Sequence, residues 1–272
     1  MRTTALPDGT KIPVLGLGTW NMGDRNSRGP EIVAALRLGL DLGMTLIDTA
    51  EMYADGGAEE VVGKAIAGRR DQTFIVSKVY PYNASRKKMP LACERSLKRL
   101  GTDRIDLYLL HWRGDVPLAE TVETFETLKR DGKIRRWGVS NFDVGDMAEL
   151  SGLPHGRGCA TNQVLYNLAR RGIEFELLPW SRQHGMPIMA YSPLGGPNAS
   201  LLHDPTLARI GAARGCSAAA VALAWAIRSG QVIAIPESGA AAHVKENAVA
   251  LSLTLTPEEL RLLDEAHLAP GR

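Results

Sequence analysis

The sequence has few cysteines, and their spacing indicates neither a disulfide framework nor a metal site. The three thiols, Cys93, Cys159 and Cys216, are odd in number and far apart, and none belongs to a C-x-x-C pair. Cysteines spaced in this way are typical of reduced thiols in a cytosolic chain. We therefore expect no disulfide and no metal in the functional site.

Long apolar runs are also missing. No stretch of the sequence reaches the ~18 consecutive apolar residues that are needed to span a membrane. The N-terminal segment "MRTTALPDGTKIPVLGLG" has proline and glycine where a signal peptide requires an apolar run. The sequence therefore predicts a soluble, cytoplasmic protein that does not bind membranes.

The chain lacks a strong charge of either sign. A net charge of +2 argues against a nucleic-acid partner, and a hydrophobic content of 44% is ordinary for a soluble globular protein. The 272 residues contain no obvious linker. Because α/β barrels of ~250 residues commonly form one domain, we expect a single domain over residues 1–272.

The sequence does contain a regular alternation of strands and helices. Two short apolar runs around Asp8 and Gly9 indicate an N-terminal β-hairpin. The tail "TPEELRLLDEAH" predicts an extra C-terminal helix, with Thr256 as its cap and Glu259 completing a capping box. Between them lie eight strand–helix units, with strands in "VLGLGTW", "MTLIDTA", "TFIVSKVY", "RIDLYLLHW", "IRRWGVSNF", "CATNQVLYN", "MPIMAYSPLG" and "QVIAIPESG".

Strict alternation of this kind requires a parallel sheet that is covered by helices. Eight units close naturally into a (β/α)8 TIM barrel, an α/β fold. A doubly wound open sheet that bound a dinucleotide would be expected to carry a Gly-x-Gly-x-x-Gly turn. Gly16 and Gly18 follow a strand, but the third position is Asn21 and the helix begins only near Pro30. We therefore predict the barrel, with its hairpin and its C-terminal helix.

Polar residues end three neighbouring strands of the predicted barrel. Asp48 ends the second strand, and Tyr53 follows in its loop before a helix that Asp55 or a following residue is expected to cap. Lys78 ends the third strand, and His111 ends the fourth. Singly, each is more often a turn, rim or hydrogen-bonded structural residue. Together, however, the four residues lie at the ends of three neighbouring strands, on the rim of the barrel where TIM-barrel enzymes have their active sites.

This set of side chains supports a specific chemistry. Tyrosine is a weak acid with a reference pKa of ~10. A nearby lysine ammonium stabilises tyrosinate and lowers that pKa, and a carboxylate keeps the ammonium charged. A neutral histidine can donate a hydrogen bond to a carbonyl group. The set can therefore protonate a carbonyl oxygen, and, with no protein nucleophile evident, a hydride from a reduced nicotinamide fits the other half of the reaction.

Several segments of the chain, including those that carry these four residues, resemble a known family. In order along the chain, "GLGTW", "LIDTAEMYADGGAEEVVGKAI", "FIVSKVY", "DLYLLHW", "GKIRRWGVSNF", "NQVLYN", "AYSPLG" and "AIPES" resemble the signature segments of the aldo-keto reductase superfamily. Within it, the chain is similar to bacterial methylglyoxal-reductase-like members. The resemblance implies a catalytic tetrad of Asp48, Tyr53, Lys78 and His111, with Tyr53 as the proton donor.

The resemblance also implies NADPH as the cofactor, with NADH possible. The nicotinamide ring is expected to stack on Tyr191, and Ser140, Asn141 and Gln163 to hold its carboxamide. We expect an aromatic substrate pocket formed by Trp20, Tyr53, Tyr80, His111 and Trp112. The full set of implied cofactor residues is Gly18, Thr19, Trp20, Asp48, Ser140, Asn141, Gln163, Tyr191, Ser192, Pro193, Leu194, Ile235, Pro236, Glu237, Ser238, His243, Glu246 and Asn247.

The sequence departs from the family pattern near the adenosine 2′-phosphate. The family commonly has a lysine after "IP" and an arginine several residues later, whereas this chain has Glu237 and His243. A carboxylate repels a phosphate, and a histidine is mostly neutral at pH 7. We therefore expect a weaker preference for NADPH over NADH than is usual in the family.

Two features of the sequence bear on the substrate. The segment "LGGPNASLLHDP" after Tyr191-Ser-Pro is short, and the chain ends at Arg272, a few residues beyond the last predicted helix. We therefore expect an open site in a monomer that reduces small aldehydes and dicarbonyls such as methylglyoxal. Two alternatives are an aldolase with Lys78 as the Schiff-base nucleophile and a non-catalytic nicotinamide-binding regulatory subunit.

Overall fold

An N-terminal hairpin begins the fold. The computed structural model describes residues 2–24, 29–196 and 200–269. Strands β1 (Thr3–Ala5) and β2 (Lys11–Pro13) pair in antiparallel register across the turn at Asp8 and Gly9. Gly9 has a φ of 84°, a conformation that glycine adopts without steric cost. The predicted hairpin is confirmed.

Eight further strands form one parallel sheet. They pair in chain order, and at the two ends of that order Gly16 and Gly18 donate backbone hydrogen bonds of 2.9 Å to the carbonyls of Ala234 and Pro236. The last strand therefore meets the first, as a closed barrel requires. The strands are β3 (Leu17–Gly18), β4 (Leu46–Asp48), β5 (Phe74–Val79), β6 (Leu107–Leu110), β7 (Trp137–Ser140), β8 (Cys159–Leu165), β9 (Ile188–Tyr191) and β10 (Val232–Ala234).

Helices alternate with these strands, and the (β/α)8 prediction is confirmed. The last helix begins with the predicted capping box, in which Thr256 and Glu259 bond each other's backbone N–H groups. The helices are α1 (Gly29–Asp41), α2 (Gly57–Ile66), α3 (Met89–Leu100), α4 (Leu118–Arg130), α5 (Val144–Gly152), α6 (Leu177–Gln183), α7 (Pro205–Arg214), α8 (Ala218–Ala226), α9 (Ala241–Ala248) and α10 (Pro257–Ala266). Over the described ranges, no single helix is long and apolar enough to cross a membrane. Helices α7 and α8 are together long and apolar enough, but the chain bends by 99° between them.

A buried apolar cluster fills the barrel and includes the hairpin. Leu6 and Ile12 of the hairpin belong to the same cluster as Leu46, Val76 and Leu107 from the barrel strands. Burial of each such side chain contributes about 1.5–3 kcal/mol. The hairpin is therefore anchored to the barrel interior, and the polar residues that end the strands lie beyond this apolar packing.

The turn before α2 shows which residue caps this helix, for which the sequence allowed Asp55 or a following residue. Gly56, and not Asp55, is the N-cap residue, and no side chain caps this helix. Residues Tyr53–Gly56 form a 3-10 turn in which Ala54 and Asp55 have positive φ angles of 50° and 51°. Asp55 cannot cap α2 because it lies within this left-handed turn. Of the segments used to predict an open site, residues 197–199 and Arg272 lie outside the described residues.

Candidate active site

A buried ion pair forms the centre of the site. Lys78 Nζ donates hydrogen bonds to Asp48 Oδ2 at 2.7 Å, to the Thr49 carbonyl at 2.9 Å and to the Tyr53 hydroxyl at 3.1 Å. The other Asp48 oxygen accepts a hydrogen bond of 2.7 Å from Gln163 Nε2. Lys78 is fully buried. All three ammonium protons and both carboxylate oxygens are therefore engaged.

The barrel places these groups together through strand pairing. Asp48, the last residue of β4, pairs in parallel register with Val76 of β5, and Lys78 follows two residues later. Successive residues of a strand point to opposite faces, so Val76 and Lys78 share one face. Tyr53 comes from the loop after β4, where its backbone N–H bonds the Ala50 carbonyl at 3.1 Å. The prediction that three neighbouring strand ends converge agrees with this arrangement.

Burial and the ion pair set the protonation states of the pair. Burial acts to lower the pKa of Lys78, but Asp48 and Tyr53 together raise it by more, so the pKa of Lys78 lies above its usual value. Burial raises the pKa of Asp48, while Lys78 and Gln163 favour its carboxylate form. Because both Asp48 oxygens accept from donors, we interpret the pair as ammonium and carboxylate.

The pKa of Tyr53 corrects the direction expected from the sequence. Burial raises the pKa of Tyr53 above 10.0, and the charge and hydrogen bond of Lys78 offset only part of this rise. Lysine lowers the tyrosine pKa as expected, but the desolvation of the phenolate, which the sequence does not reveal, is larger. Tyr53 is therefore a neutral phenol at physiological pH and carries the proton that a general acid must donate.

His111 follows β6 and lies beside the tyrosine. Its ring centroid is 5.7 Å from that of Tyr53, in an edge-on arrangement. Burial, and then the positive charge of Lys78, lower the pKa of His111 from 6.5 to about 3. The imidazole is therefore neutral at physiological pH, as the sequence analysis expected. Within the described residues, its buried Nδ1 atom has no hydrogen-bond partner.

A second polar group comes from β7, β8 and β9. The Ser140 hydroxyl donates to the Gln163 carbonyl at 2.7 Å, and the Tyr191 hydroxyl donates to Asn141 Oδ1 at 2.9 Å. Asn141 Nδ2 in turn donates to the His111 carbonyl at 3.2 Å. Asn141 has a φ of 60°, in the left-handed region that asparagine tolerates better than most residues. This network connects the predicted carboxamide residues to the loop of the predicted tetrad.

One cavity of about 760 Å³ brings most of the predicted residues together. Two do not line it. The Tyr80 ring packs outside it, stacked on Tyr82 at 4.7 Å and edge-on to Trp112 at 5.7 Å, and the Ser238 hydroxyl bonds the Ala240 carbonyl at 3.2 Å. The predicted residues that line the cavity are Gly18, Thr19, Trp20, Asp48, Tyr53, His111, Trp112, Ser140, Asn141, Gln163, Tyr191, Ser192, Pro193, Leu194, Ile235, Pro236, Glu237, His243, Glu246 and Asn247.

The cavity wall also contains residues that the sequence analysis missed. Ser217, Ala218 and Ala219 line it at the beginning of α8, where the Ser217 side chain accepts a hydrogen bond from the Ala220 N–H group. A serine followed by helix-forming alanines is a recognisable helix start, and this was the available signal. The other missed residues are Asn21, Met52, Gly196 and Leu202.

The part of the cavity wall formed after β10 contains carboxylates where a phosphate-binding wall would be expected to contain basic side chains. Glu237 accepts a hydrogen bond of 2.9 Å from Asn21 Nδ2, and burial raises the pKa of its carboxyl despite this bond. His243 and Glu246 also line the cavity, whereas no lysine or arginine lines it in the part of the chain that the structure describes. Neutral donors must therefore contribute most of any anion binding by the described wall.

Comparisons with known proteins agree with this geometry. The family model described as "Aldo/keto reductase family" matches residues 14–267. Methylglyoxal reductase YeaE of Escherichia coli is 55% identical over 262 residues, which cover 95% of this chain and 92% of that protein. A crystal structure of an aldo/keto reductase from Klebsiella pneumoniae in complex with NADP and acetate is 52% identical, with a TM-score of 0.97 over 100% of this chain and 97% of that one.

A second Klebsiella pneumoniae aldo-keto reductase structure, in complex with NADPH, has a TM-score of 0.96 at 52% identity and covers 100% of this chain and 96% of that one. The family match thus spans the strands that carry Asp48, Lys78 and His111 and the loop that carries Tyr53. The family that the signature segments indicated is confirmed, and this chain belongs to the aldo/keto reductase family.

Proposed function

We propose that this chain reduces aldehydes and ketones to alcohols, with NADPH as the source of hydride. The observation that carries this proposal is the buried Lys78 ammonium, which donates hydrogen bonds to Asp48 and to the Tyr53 hydroxyl. Asp48, Tyr53 and a neutral His111 line the same cavity. It is supported by the Escherichia coli relative, whose name is methylglyoxal reductase, and by the Klebsiella pneumoniae structures with NADP and NADPH.

The cavity fits a nicotinamide dinucleotide in size and in the chemistry of its wall. Its volume of about 760 Å³ lies within the range of roughly 300–1,000 Å³ that ligand sites occupy. We assign the nicotinamide ring to Tyr191 and its carboxamide to Ser140, Asn141 and Gln163, polar residues that line the cavity. When bound, the reduced nicotinamide supplies a hydride to the carbonyl carbon of the substrate.

The beginning of α8 suits the anionic part of such a molecule. Ser217, Ala218 and Ala219 bring the first turn of this helix to the cavity wall. The free N–H groups and the positive end of the dipole at a helix N-terminus favour phosphate groups. This turn can therefore take the place of the basic side chains that the described wall lacks.

Tyr53 acts as the general acid in this proposal. Tyr53 lines the cavity, and its hydroxyl, which is protonated at physiological pH, donates its proton to the carbonyl oxygen as the alcohol forms. The tyrosinate that results is stabilised by the Lys78 ammonium at 3.1 Å. Asp48 holds the ammonium in place and keeps it charged, so the pair contributes most when negative charge develops on the phenol oxygen.

His111 contributes an uncharged hydrogen-bond donor. Because burial and Lys78 lower its pKa to about 3, the ring does not gain a proton in the neutral pH range. A neutral imidazole retains one N–H group that can polarise a carbonyl oxygen. Since every group of this set comes from one chain, a monomer is sufficient for the reaction.

The geometry disfavours the two alternative functions. An aldolase would need Lys78 as a free amine, whereas its ammonium makes three hydrogen bonds and its pKa is raised. Borohydride treatment in the presence of a keto substrate would trap an adduct on Lys78 only if it formed a Schiff base. Turnover of any simple aldehyde would exclude a purely regulatory role.

A panel of carbonyl compounds tests the proposed substrate class. With NADPH, we expect methylglyoxal and other small aldehydes to be reduced with higher kcat/KM than a bulky ketosteroid, measured from the absorbance of the reduced cofactor. The expected order follows from an exposed substrate end of the cavity, where Trp20 and Trp112 are 48% and 37% exposed and offer few contacts with which to recognise a large substrate. A steroid reduced far more efficiently than every small aldehyde would contradict this substrate assignment.

The cofactor preference should respond to the charge at residue 237. We expect Glu237→Lys to raise the NADPH/NADH ratio of kcat/KM about fivefold to tenfold, because it replaces repulsion of a phosphate by attraction in the cavity wall. Glu237→Gln, which removes only the repulsion, should have a smaller effect in the same direction. The measurement is kcat/KM with each cofactor at a saturating concentration of one aldehyde.

A matched change elsewhere controls for the net charge of the protein. Glu60 is exposed on α2 and lines a separate groove with Gly63 and Lys64, so Glu60→Lys alters the total charge equally without altering the cavity. This control should leave the cofactor ratio unchanged. An unchanged ratio in Glu237→Lys as well would show that Glu237 does not face the 2′-phosphate.

A further inference from the structure

Glu59, in the first turn of α2, is a fully buried carboxylate that the reaction described above does not use. Its Oε1 atom accepts a hydrogen bond of 2.5 Å from the Ser77 hydroxyl. Its Oε2 atom accepts a hydrogen bond of 2.7 Å from Arg99 Nε and lies 2.6 Å from Arg99 Nη2. One carboxylate therefore joins β5, α2 and α3.

The bond to Ser77 connects α2 to the strand of the catalytic lysine. Ser77 immediately precedes Lys78 in β5, and the two side chains point to opposite faces of the strand. Lys78 is bonded to Asp48 and Tyr53, which line the cavity, whereas Ser77 is bonded to Glu59 of α2. Any shift of α2 relative to β5 must therefore break or stretch the Glu59–Ser77 hydrogen bond.

The bond to Arg99 supports the turn that carries the catalytic tyrosine. The 3-10 turn that begins at Tyr53 ends at Gly56, and Gly56 lies three residues before Glu59. A Cβ atom at Gly56 would lie 2.4 Å from Arg99 Nε, so the guanidinium packs directly against the backbone of this turn. Glu59 thus holds in place the Arg99 guanidinium that packs against Gly56 at the end of the turn.

This turn requires support because its backbone is strained. Ala54 and Asp55 have φ angles of 50° and 51°, and Gly56 has a φ of 92°. Residues with a Cβ atom are disfavoured in the left-handed region, and they persist there only when the surrounding structure determines the conformation. Without that support, the turn is expected to relax, and the Tyr53 side chain would move with it.

We propose that Glu59 is a positioning residue that holds the Tyr53 hydroxyl within 3.1 Å of Lys78 Nζ, an inference that rests on the proposed function of these two residues. Glu59 is buried away from the cavity and acts only through Ser77, Arg99 and the turn. Its loss should therefore impair proton donation without impairing cofactor binding.

Two substitutions in the full chain test this role. Glu59→Gln removes the charge that orients Arg99, and we expect kcat for methylglyoxal with NADPH to fall about 10- to 100-fold, as misplacement of a reacting group by about 1 Å can do. Ser77→Ala removes one of the hydrogen bonds and should cause a smaller loss. In both variants we expect little change in KM or in the Kd of NADPH, measured by fluorescence titration.

Glu174 offers a matched control on another part of the barrel. Its carboxylate also accepts a 2.5 Å hydrogen bond from a hydroxyl group, that of Tyr166, and hydrogen bonds from Arg171 Nη2 at 2.8 Å and Arg228 Nη2 at 3.1 Å. Glu174→Gln should therefore lower the melting temperature by an amount similar to Glu59→Gln. It should leave kcat unchanged, because it supports neither β5 nor the Tyr53 turn.

The decisive comparison combines Glu59→Gln with Tyr53→Phe. If Glu59 acts by positioning the Tyr53 hydroxyl, its substitution should cause no further loss of kcat once that hydroxyl is absent, because coupled residues are not additive. A further loss of equal size in the double variant, or a Glu59→Gln effect no larger than that of Glu174→Gln, would overturn the inference. Failure of the proposed function itself is distinguishable, because the unsubstituted chain would then oxidise NADPH with none of the carbonyl compounds.

Discussion

Tyr53→Phe is expected to lower kcat for carbonyl reduction by about 10²–10⁴-fold, the contribution that a positioned general acid makes. The substitution removes the phenol proton that Tyr53 donates to the carbonyl oxygen, and the hydrogen bond that its hydroxyl accepts from Lys78 Nζ. The phenyl ring can keep its packing against His111. Cofactor affinity should therefore change little, as measured by the quenching of protein fluorescence by NADPH.

A neighbouring tyrosine provides the control for this substitution. Tyr82 is 60% exposed and lies outside the cavity, stacked on Tyr80. Tyr82→Phe removes the same atom from the same residue type and should retain the kcat of the unsubstituted chain. If Tyr53→Phe also retained most of its kcat, with hydride transfer shown to limit the rate by use of deuterated NADPH, Tyr53 would not be the proton donor.

Lys78→Met is expected to affect both activity and stability. It removes the charge that stabilises tyrosinate, so the pKa of Tyr53 should rise further and kcat should fall by about 10² or more. It also leaves Asp48 as a buried carboxylate with Gln163 as its remaining side-chain partner. Loss of one member of a buried ion pair costs about 3–5 kcal/mol of unfolding free energy, and a denaturant titration would measure this loss.

Removal of both charges separates the two effects. In Asp48→Asn/Lys78→Met no uncompensated charge is buried, so the free energy of unfolding should recover relative to Lys78→Met alone. Activity should not recover, because the double variant still lacks the ammonium beside Tyr53. Recovery of kcat together with stability would show that Lys78 is needed only for folding and has no part in proton donation.

The strand-end residues could be predicted because two simple rules apply to them. Short apolar runs in regular alternation with helices located the strands, and the carboxyl ends of parallel strands meet on one face, which brings Asp48, Lys78 and His111 together. Tyr53 followed from its place in the loop after Asp48. The resulting hydrogen bonds, from Lys78 Nζ to Asp48 and Tyr53, are those of the predicted chemistry.

Properties that depend on burial could not be predicted in the same way. The net direction of the Tyr53 pKa is set by desolvation, which outweighs Lys78 in the folded chain. Glu59 occupies the first turn of a helix, where an exposed acidic residue is ordinary, and only the structure shows it fully buried between Ser77 and Arg99. A sequence gives the residue type in such cases but not its surroundings.

Parts of the cavity wall lacked a distinctive signal. The alanine-rich run of α8 is buried along its whole described length from Ala219, so no apolar stripe marks the end that reaches the cavity. Asn21 is a neutral residue in a loop, and its hydrogen bond to Glu237 joins positions 216 residues apart. Contacts at such sequence separation depend on barrel closure between β3 and β10, which the local pattern does not encode.

The role of Tyr53 as proton donor is tested most directly by the rate of hydride transfer in a single turnover of NADPH and methylglyoxal, measured in H2O and in D2O. If Tyr53 protonates the carbonyl oxygen as the hydride arrives, the unsubstituted chain should transfer hydride more slowly in D2O. Tyr53→Phe should then transfer it about 10²–10⁴-fold more slowly in H2O, without the same solvent effect. Equal single-turnover rates in the two proteins, with equal responses to D2O, would contradict the central claim that Tyr53, held by Lys78 and Asp48, is the proton donor.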